Sequence, residues 1–365
     1  MVGRFEKTIP LAAGSLVAGL IGLAVFDPPK PDTAIPHAIL SDPARLAALE
    51  SATFETAAGP TLSQNMVAGL MRVNAPGETV ESVIDAVHVG RALSAGRAPS
   101  LHTADALHDT FERLDYDLEA VTRDDKPVPR VFLASLPGDL ADVREPEKRK
   151  TVFFRTLLPL VLHANEEIAA HRQRLWQLHA RLKRGQKLAA VDRLWLIVMS
   201  ERYRVDRGDI DALLKRVDVV PPSLALAQAA EESGWGTSRF SRQGNAIFGQ
   251  WTFDENDGLV PRKREEGKNH RVKAFDSLLQ SVRAYARNLN THRAYREFRK
   301  LRAQMRRDGT QIGGRKLVDT LKRYSERGAD YVKTLRSIMA VNKLTRLDDA
   351  RLRQGARTGV DASAI

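Results

Sequence analysis

The sequence contains no cysteine. Disulfides, thiol catalysis and cysteine-rich zinc sites are therefore excluded, and an oxidising compartment is neither required nor forbidden. Strand signals are scarce: only Asn245–Thr252 and Lys268–Phe275 look extended enough to form a sheet. No internal repeat is visible. No phosphate-binding glycine loop precedes a basic helix, so nucleotide chemistry has no support. Charged residues reach 28%, which argues against a multi-pass membrane protein.

What is present sets the scale. The chain has 365 residues, 43% of them apolar, enough for one large core or two ordinary ones. The formal charge is +12. Such a balance suits a polyanionic partner: nucleic acid, anionic lipid or the carboxylate-bearing bacterial wall. Charge alone does not choose among them. At the N-terminus, Arg4 and Lys7 precede Ile9–Phe26, eighteen residues without a charge. The length approaches that of a bilayer span. The segment reads as an export signal or a single anchor, and Gly22 and Ala24 fit the small-residue rule for cleavage after Ala24. A buried Gly/Ala-rich helix is the alternative.

Five regions follow: 1–26 as signal or anchor, 27–101 as linker and variable region, 102–215 helical, 216–345 catalytic, and 346–365 a flexible tail. Pro28, Pro29, Pro31 and Pro36 stiffen the linker. Short helices are expected at Pro43–Glu50 and Glu78–Leu93. The helical region begins with Thr103–Tyr116, where Leu107, Phe111 and Leu114 share one face. Val128–Leu133 looks extended. Arg149–Lys183 is one long pattern containing Pro159, a residue that kinks helices. Further helices are expected at Val191–Tyr203, Ile210–Val217, from Pro221–Pro222 onward, and at Ser277–Thr291, Ala294–Arg307, Gly313–Tyr324 and Tyr331–Asn342. The fold class is mainly α, with a small β element inserted beside the most unusual stretch of the chain.

That stretch is Pro222–Phe253. Ser223 is suited to cap a helix whose body, Leu224–Glu231, is nearly all Ala and Leu and hence buried on most sides. Glu231 and Glu232 stand at its C-terminal end, and Gly234 marks the stop. Apolar burial and the negative end of the helix dipole both disfavour an ionised carboxylate there. A carboxyl that stays protonated near neutrality is what glycosidic cleavage needs as its general acid. Trp235 offers an indole face for a pyranose ring, and Gly236, Gly244 and Gly249 allow tight turns. On physics alone, a solvated pair of glutamates at a helix end explains the same residues.

The stretch Ala227–Trp251 (AQAAEESGWGTSRFSRQGNAIFGQW) resembles the signature of bacterial peptidoglycan endo-β-N-acetylglucosaminidases, family 73 of the glycoside hydrolases, and is most similar to their Bax-type branch. Val128–Leu140, Leu157–Ile168 and Tyr285–Arg299 resemble the same branch. Tyr324–Met339 resembles the family's closing Tyr-x-x-Asp-x-x-Tyr segment, although Glu326-Arg327-Gly328 replaces its usual acidic-Pro pair. The resemblance covers roughly residues 102–345. It implies a lysozyme-like helical domain with a β lobe beside a cleft. It also implies cleavage of the β-1,4 bond after N-acetylglucosamine, and Glu232, not Glu231, as the acid. Trp235, Asn245, Phe248, Gly249, Tyr324 and Tyr331 are the expected substrate-binding residues.

A second carboxylate is usually required. Asp254, Glu255, Asp257, Glu265 and Glu266 are the candidates. The resemblance points to Glu266, with Glu265 as runner-up. The surrounding run Arg262–Lys268 also reads as a solvated loop, and the substrate's own 2-acetamido group is a third option. His163, Glu167 and His171 fall on one helix, but the outer two are about 12 Å apart, so a solvated face is the better reading than a metal site. His292 is expected to buttress the cleft. Arg296–Arg307 is basic without interleaved aromatics other than Phe298, and a wall-facing surface accounts for it. No cofactor, metal or nucleic-acid partner is expected. The partners are glycan strands and, through residues 9–26, a membrane contact; oligomeric state is open. The expected location is the bacterial periplasm. The competing functions are a lytic transglycosylase or muramidase, and a non-catalytic glycan-binding scaffold.

Overall fold

A computed structural model of the chain describes residues 103–252, 254, 258–261 and 271–354. The expected signal or anchor, the linker with its two helices, Glu255, Asp257, Glu265, Glu266 and residues 355–365 lie outside the described residues. Among the described residues, no helix is long and apolar enough to cross a membrane.

The domain is mainly helical, with a two-stranded lobe. Helix α1 (Ala104–Arg113) is capped by Thr103 and buries Leu107 and Phe111, as the spacing predicts. A short α2 (Leu118–Arg123) follows. The long α3 (Pro146–Lys183) runs continuously through Pro159. Its stretch Val152–Leu162 is buried on every side, which makes it a central strut and not an amphipathic surface helix. Helices α4 (Ala190–Arg202) and α5 (Ile210–Arg216) lead to α6 (Pro222–Ser233). After α6 come α7 (Arg239–Gly244), β1 (Trp251–Thr252) and β2 (Arg271–Val272). The strands pair antiparallel, Trp251 opposite Val272 and Thr252 opposite Arg271. Of the two longer extended stretches predicted for this lobe, the first shrinks to Trp251–Thr252, and in the described part of the second only Arg271–Val272 is strand. Asn245, which begins the first of them, takes a left-handed conformation at the end of α7 instead. Helices α8 (Leu278–Thr291), α9 (Arg296–Arg307), α10 (Gly314–Leu317) and α11 (Ala329–Val341) complete the set.

One continuous core runs from Ala104 to Leu352. Helix α6 lies inside it, packed against α3, α10, α11 and a 3-10 segment at Leu344–Asp349. Every residue from Pro222 to Ala230 is buried. Its small side chains let neighbouring backbones come close.

Two expectations are corrected here. Ser223 does not cap α6; Pro221 holds that position and has no side-chain oxygen to offer. The cap arrives from far along the chain, because Asp348 accepts from the Ser223 amide (2.9 Å) and hydroxyl (2.9 Å). The tail expected to fray after Arg346 is packed through Leu352. Leu344, Leu347 and Leu352 are buried, and Val128 forms a parallel bridge with Leu352. Hydrophobic burial outweighs the charged composition that suggested fraying.

The surface face expected at His163, Glu167 and His171 is also not solvated. His171 is buried, and Glu167 accepts a bidentate ion pair from Arg283 of α8. These residues tie two helices together.

Candidate functional site

The site forms where α6 ends. Gly234, Trp235 and Gly236 all have positive φ (58°, 60° and 79°), so the chain reverses within three residues. Gly234 stops the helix in the left-handed conformation, and the amide of Trp235 returns to the carbonyl of Ala230 (2.9 Å). Ser238 then caps α7. This reversal places Glu231 and Glu232 in the last turn of a helix that is buried from Pro222 to Ala230.

The two glutamates part company. Glu231 pairs with Arg327, whose other nitrogen donates to Thr334 (2.7 Å). Arg327 belongs to the triplet that departs from the family's acidic-Pro pattern, and here it pairs with the neighbour of Glu232. Glu232 has no arginine of its own. Its Oε1 accepts from the Tyr331 hydroxyl (2.7 Å). The residue is partly exposed, so a ligand can reach it. Burial is nonetheless the main influence on its carboxyl. It outweighs the Tyr331 hydrogen bond, and with the Glu231 charge it pushes the pKa up to about 7.

Behind Glu232 runs a directed chain of hydrogen bonds. Tyr285 donates to Gln228 Oε1 (2.7 Å), Gln228 donates through Nε2 to the Tyr331 hydroxyl (2.9 Å), and Tyr331 donates to Glu232. Each phenol has one proton, so the direction is fixed by the bonds themselves. Burial, then the proximity of Glu232, holds Tyr331 and Tyr324 well above the ordinary phenol range. They remain donors. Since Oε1 is occupied as an acceptor, the proton of a neutral Glu232 belongs on Oε2.

That oxygen faces Gly249. A Cβ at Gly249 would stand 3.2 Å from Oε2, and the residue has φ +60°. Both observations demand glycine there. Aromatic rings frame the rest. Phe248 stacks on Tyr285 at 3.9 Å between centroids, and its carbonyl accepts from the Tyr324 hydroxyl (3.1 Å). Tyr324 lies parallel to Tyr331 at 5.6 Å.

Of the predicted residues, the fold brings Tyr331 and Gly249 against Glu232, with Phe248 and Tyr324 one layer behind. Phe248 is buried and serves as a wall. Asn245 anchors the β lobe, donating from Nδ2 to the Phe275 carbonyl (3.0 Å). Trp235 sits elsewhere than beside the acid. Its ring meets Phe153 and Phe154 edge-on at 6.1 and 5.3 Å, with Lys150 over it at 5.5 Å. Glu266 and Glu265 lie outside the described residues. His292 accepts from the Ala294 amide through Nδ1 (3.2 Å) and caps the short 3-10 turn Arg293–Tyr295. Sequence reasoning assigned nothing to Gln228 or Tyr285. The available signal was spacing: Gln228 lies four residues before Glu232, on the same helix face.

A reachable carboxyl with a pKa of about 7, one oxygen of which accepts from a phenol, has the properties that a proton donor to a leaving group needs. Comparison with known proteins agrees with that chemistry. Residues 209–344 match the glucosaminidase family model, described as mannosyl-glycoprotein endo-beta-N-acetylglucosaminidase. The chain is also similar to Protein bax of Escherichia coli (strain K12), 37% identical over 204 residues, which cover 54% of this chain and 71% of that protein. No solved structure matches it. With its glucosaminidase domain and this degree of identity, the chain belongs to the Bax-like family, whose enzymatic kind is glycosidase.

Proposed function

We propose that this protein is a cell-envelope peptidoglycan hydrolase that cuts the β-1,4 bond after N-acetylglucosamine, with Glu232 as the general acid. The observation that carries the reading is the Glu232 carboxyl, with a pKa of about 7 and a tyrosine on one oxygen, inside a glucosaminidase domain. An acid matched to neutral pH is what protonation of a glycosidic oxygen requires. The family description names mannosyl-glycoproteins, but a charge of +12 favours an acidic polymer such as the wall. Export through residues 9–26 belongs to the same proposal.

Glu266 is proposed as the second carboxylate, carried on the segment after β1. Gly249 and Tyr331 set the acid, while Asn245, Phe248 and Tyr324 hold the wall of the sugar site. Trp235 is proposed to meet a neighbouring sugar.

The test is digestion of purified peptidoglycan with mass analysis of the products, beside a high-mannose glycopeptide. Wild type should release reducing N-acetylglucosamine ends from peptidoglycan, and Glu232→Gln should lose at least about a thousandfold in rate. Glu266→Gln should lose far more than Glu265→Gln. Anhydro-muramic ends would reassign the enzyme to the lytic transglycosylases. Wall binding without cleavage by wild type would make it a scaffold.

A further inference from the structure

On the side of the domain built by α5 and α9, a recess of about 430 Å³ is lined almost entirely by cations. Its small residues are Ala212 and Ala303, one from each helix, and they create the hollow. Around them stand Lys215 and Arg216 from α5 with Arg296, Arg299, Lys300 and Arg307 from α9. The spacing explains the convergence. Positions 212, 215 and 216 share one face of α5, and positions 296, 299, 300, 303 and 307 share one face of α9. No acidic residue lines the recess.

The floor is built and held. Arg299 is buried, donating to the carbonyls of Leu289 (2.9 Å) and His292 (2.8 Å). Arg216 donates to the carbonyls of Tyr203 (2.8 Å) and Thr291 (3.3 Å). These bonds fix both guanidiniums without neutralising them. The opposite face of α9 is pinned as well, because the fully buried Arg302 donates to Asn290 Oδ1 (2.7 Å) and to the carbonyls of Asp218 (3.0 Å) and Val219 (2.8 Å). The rim residues Lys215, Arg296, Lys300 and Arg307 are exposed. Two acidic residues stand near: Glu297, at 3.8 Å from Arg296 and 3.9 Å from Lys300, and Asp206, whose charge reaches Arg216 without outweighing its burial. The crowding is felt: burial, then Arg216, Arg302 and Arg296, lowers the Arg299 pKa to about 10.

We propose that this recess binds a phosphate-bearing anion. Arginine forks donate bidentately to phosphate oxygens, and a phosphate monoester brings more negative charge into one hollow than a single carboxylate does. No aromatic side chain lines the recess, so it lacks the stacking platform of a single-strand nucleic-acid site. The phosphate can come from a lipid headgroup or from a soluble ester. Both present phosphate oxygens to the same six residues, a diester headgroup with one negative charge and a monoester with nearly two.

The test is calorimetric titration of the full chain with pyrophosphate at physiological salt, with acetate as control. Saturable one-to-one binding of pyrophosphate, and none of acetate, is expected. Lys300→Glu with Arg307→Glu should weaken it at least tenfold. Lys316→Glu with Lys322→Glu, the same change of charge elsewhere, should leave it within twofold. Thermal melting checks that each pair folds, and the neutral pair Lys215→Gln with Arg307→Gln provides a milder version of the loss. Sedimentation with phosphatidylcholine vesicles, with and without phosphatidylglycerol, separates the sources. Retention that depends on the rim pair assigns a headgroup; pyrophosphate binding without retention assigns a soluble ester. Absence of saturable binding overturns the site. So does equal loss in both charge-reversed pairs, or duplex DNA binding that both pairs weaken alike, since each would reduce the recess to general attraction.

Discussion

Glu232 couples stability to pH through one proton. Its carboxyl pKa rises from an ordinary 4.5 to about 7 in the folded protein. The fold therefore favours the protonated form. That contribution is complete below the unfolded pKa and is lost as pH rises through the folded value. Between pH 4.5 and pH 8 the wild type should lose on the order of 3 kcal/mol from this group alone. Glu232→Gln, neutral at every pH, should match wild type in denaturant melts near pH 4.5 and exceed it at pH 8. Equal pH dependence of the two proteins would show that the carboxyl is ordinary. Activity should carry the same signature, with kcat/KM falling above about pH 7 as the acid ionises. Gly249 is the second sensitive position. Gly249→Ala forces a left-handed backbone on a side chain, costing roughly 1–2 kcal/mol. It also presses the new methyl toward Oε2. Activity should fall on the order of 10- to 100-fold, because a displaced acid no longer meets its leaving group.

At the scale of the element, α6 is a holder whose two ends are governed by distant residues. Tyr331→Phe removes the hydrogen bond that pulls the Glu232 pKa down, so the alkaline limb of the pH profile should shift upward. The same change strips Gln228 of a partner and should cost about 1–3 kcal/mol in a denaturant titration. A drop in stability with an unmoved limb would mean that the phenol only braces the helix. How much of this element could be read beforehand follows from the range of each interaction. The Ala/Leu run announces burial, the Gly-Trp-Gly turn announces the stop, and the Glu-Ser-Gly motif singles out Glu232, all within a few residues. Nothing near Ser223 announces that Asp348 will cap the helix, because that bond spans 125 residues. Trp235 was legible as a special residue but not in its surroundings, since Phe153 and Phe154 reach it from a helix some eighty residues earlier. The β lobe was overread for a related reason: a pattern of alternating residues does not reveal that Asn245 turns left-handed and that pairing begins only at Trp251.

At the largest scale, Val128 and the segment Arg351–Arg353 close the helical domain. Val128 donates to the Arg351 carbonyl (2.8 Å) and accepts from the Arg353 amide (2.7 Å). Arg130 donates to the Arg353 carbonyl (2.9 Å) and forms a bidentate ion pair with Glu166. Removing everything after Lys343 would expose the neighbours of Leu344, Leu347 and Leu352. Each buried leucine is worth about 1.5–3 kcal/mol, so the loss approaches the total stability of a typical domain, roughly 5–15 kcal/mol. The truncated chain should show no cooperative melt by circular dichroism, whereas removal of residues 355–365 should leave the melt unchanged. The bridge between the two ends has a further consequence for timing. Arg130 and Arg353 are 223 residues apart, so the contact carries a large loop-closure cost and forms late. The Asp348 bond to Ser223 lies in the same closing segment. A growing chain leaves the ribosome N-terminus first, at about 5–20 residues per second. The helix that carries Glu232 therefore waits some seconds for its cap, and a glycosidase of this build is born unassembled, completing itself only when the segment around Asp348 has been made.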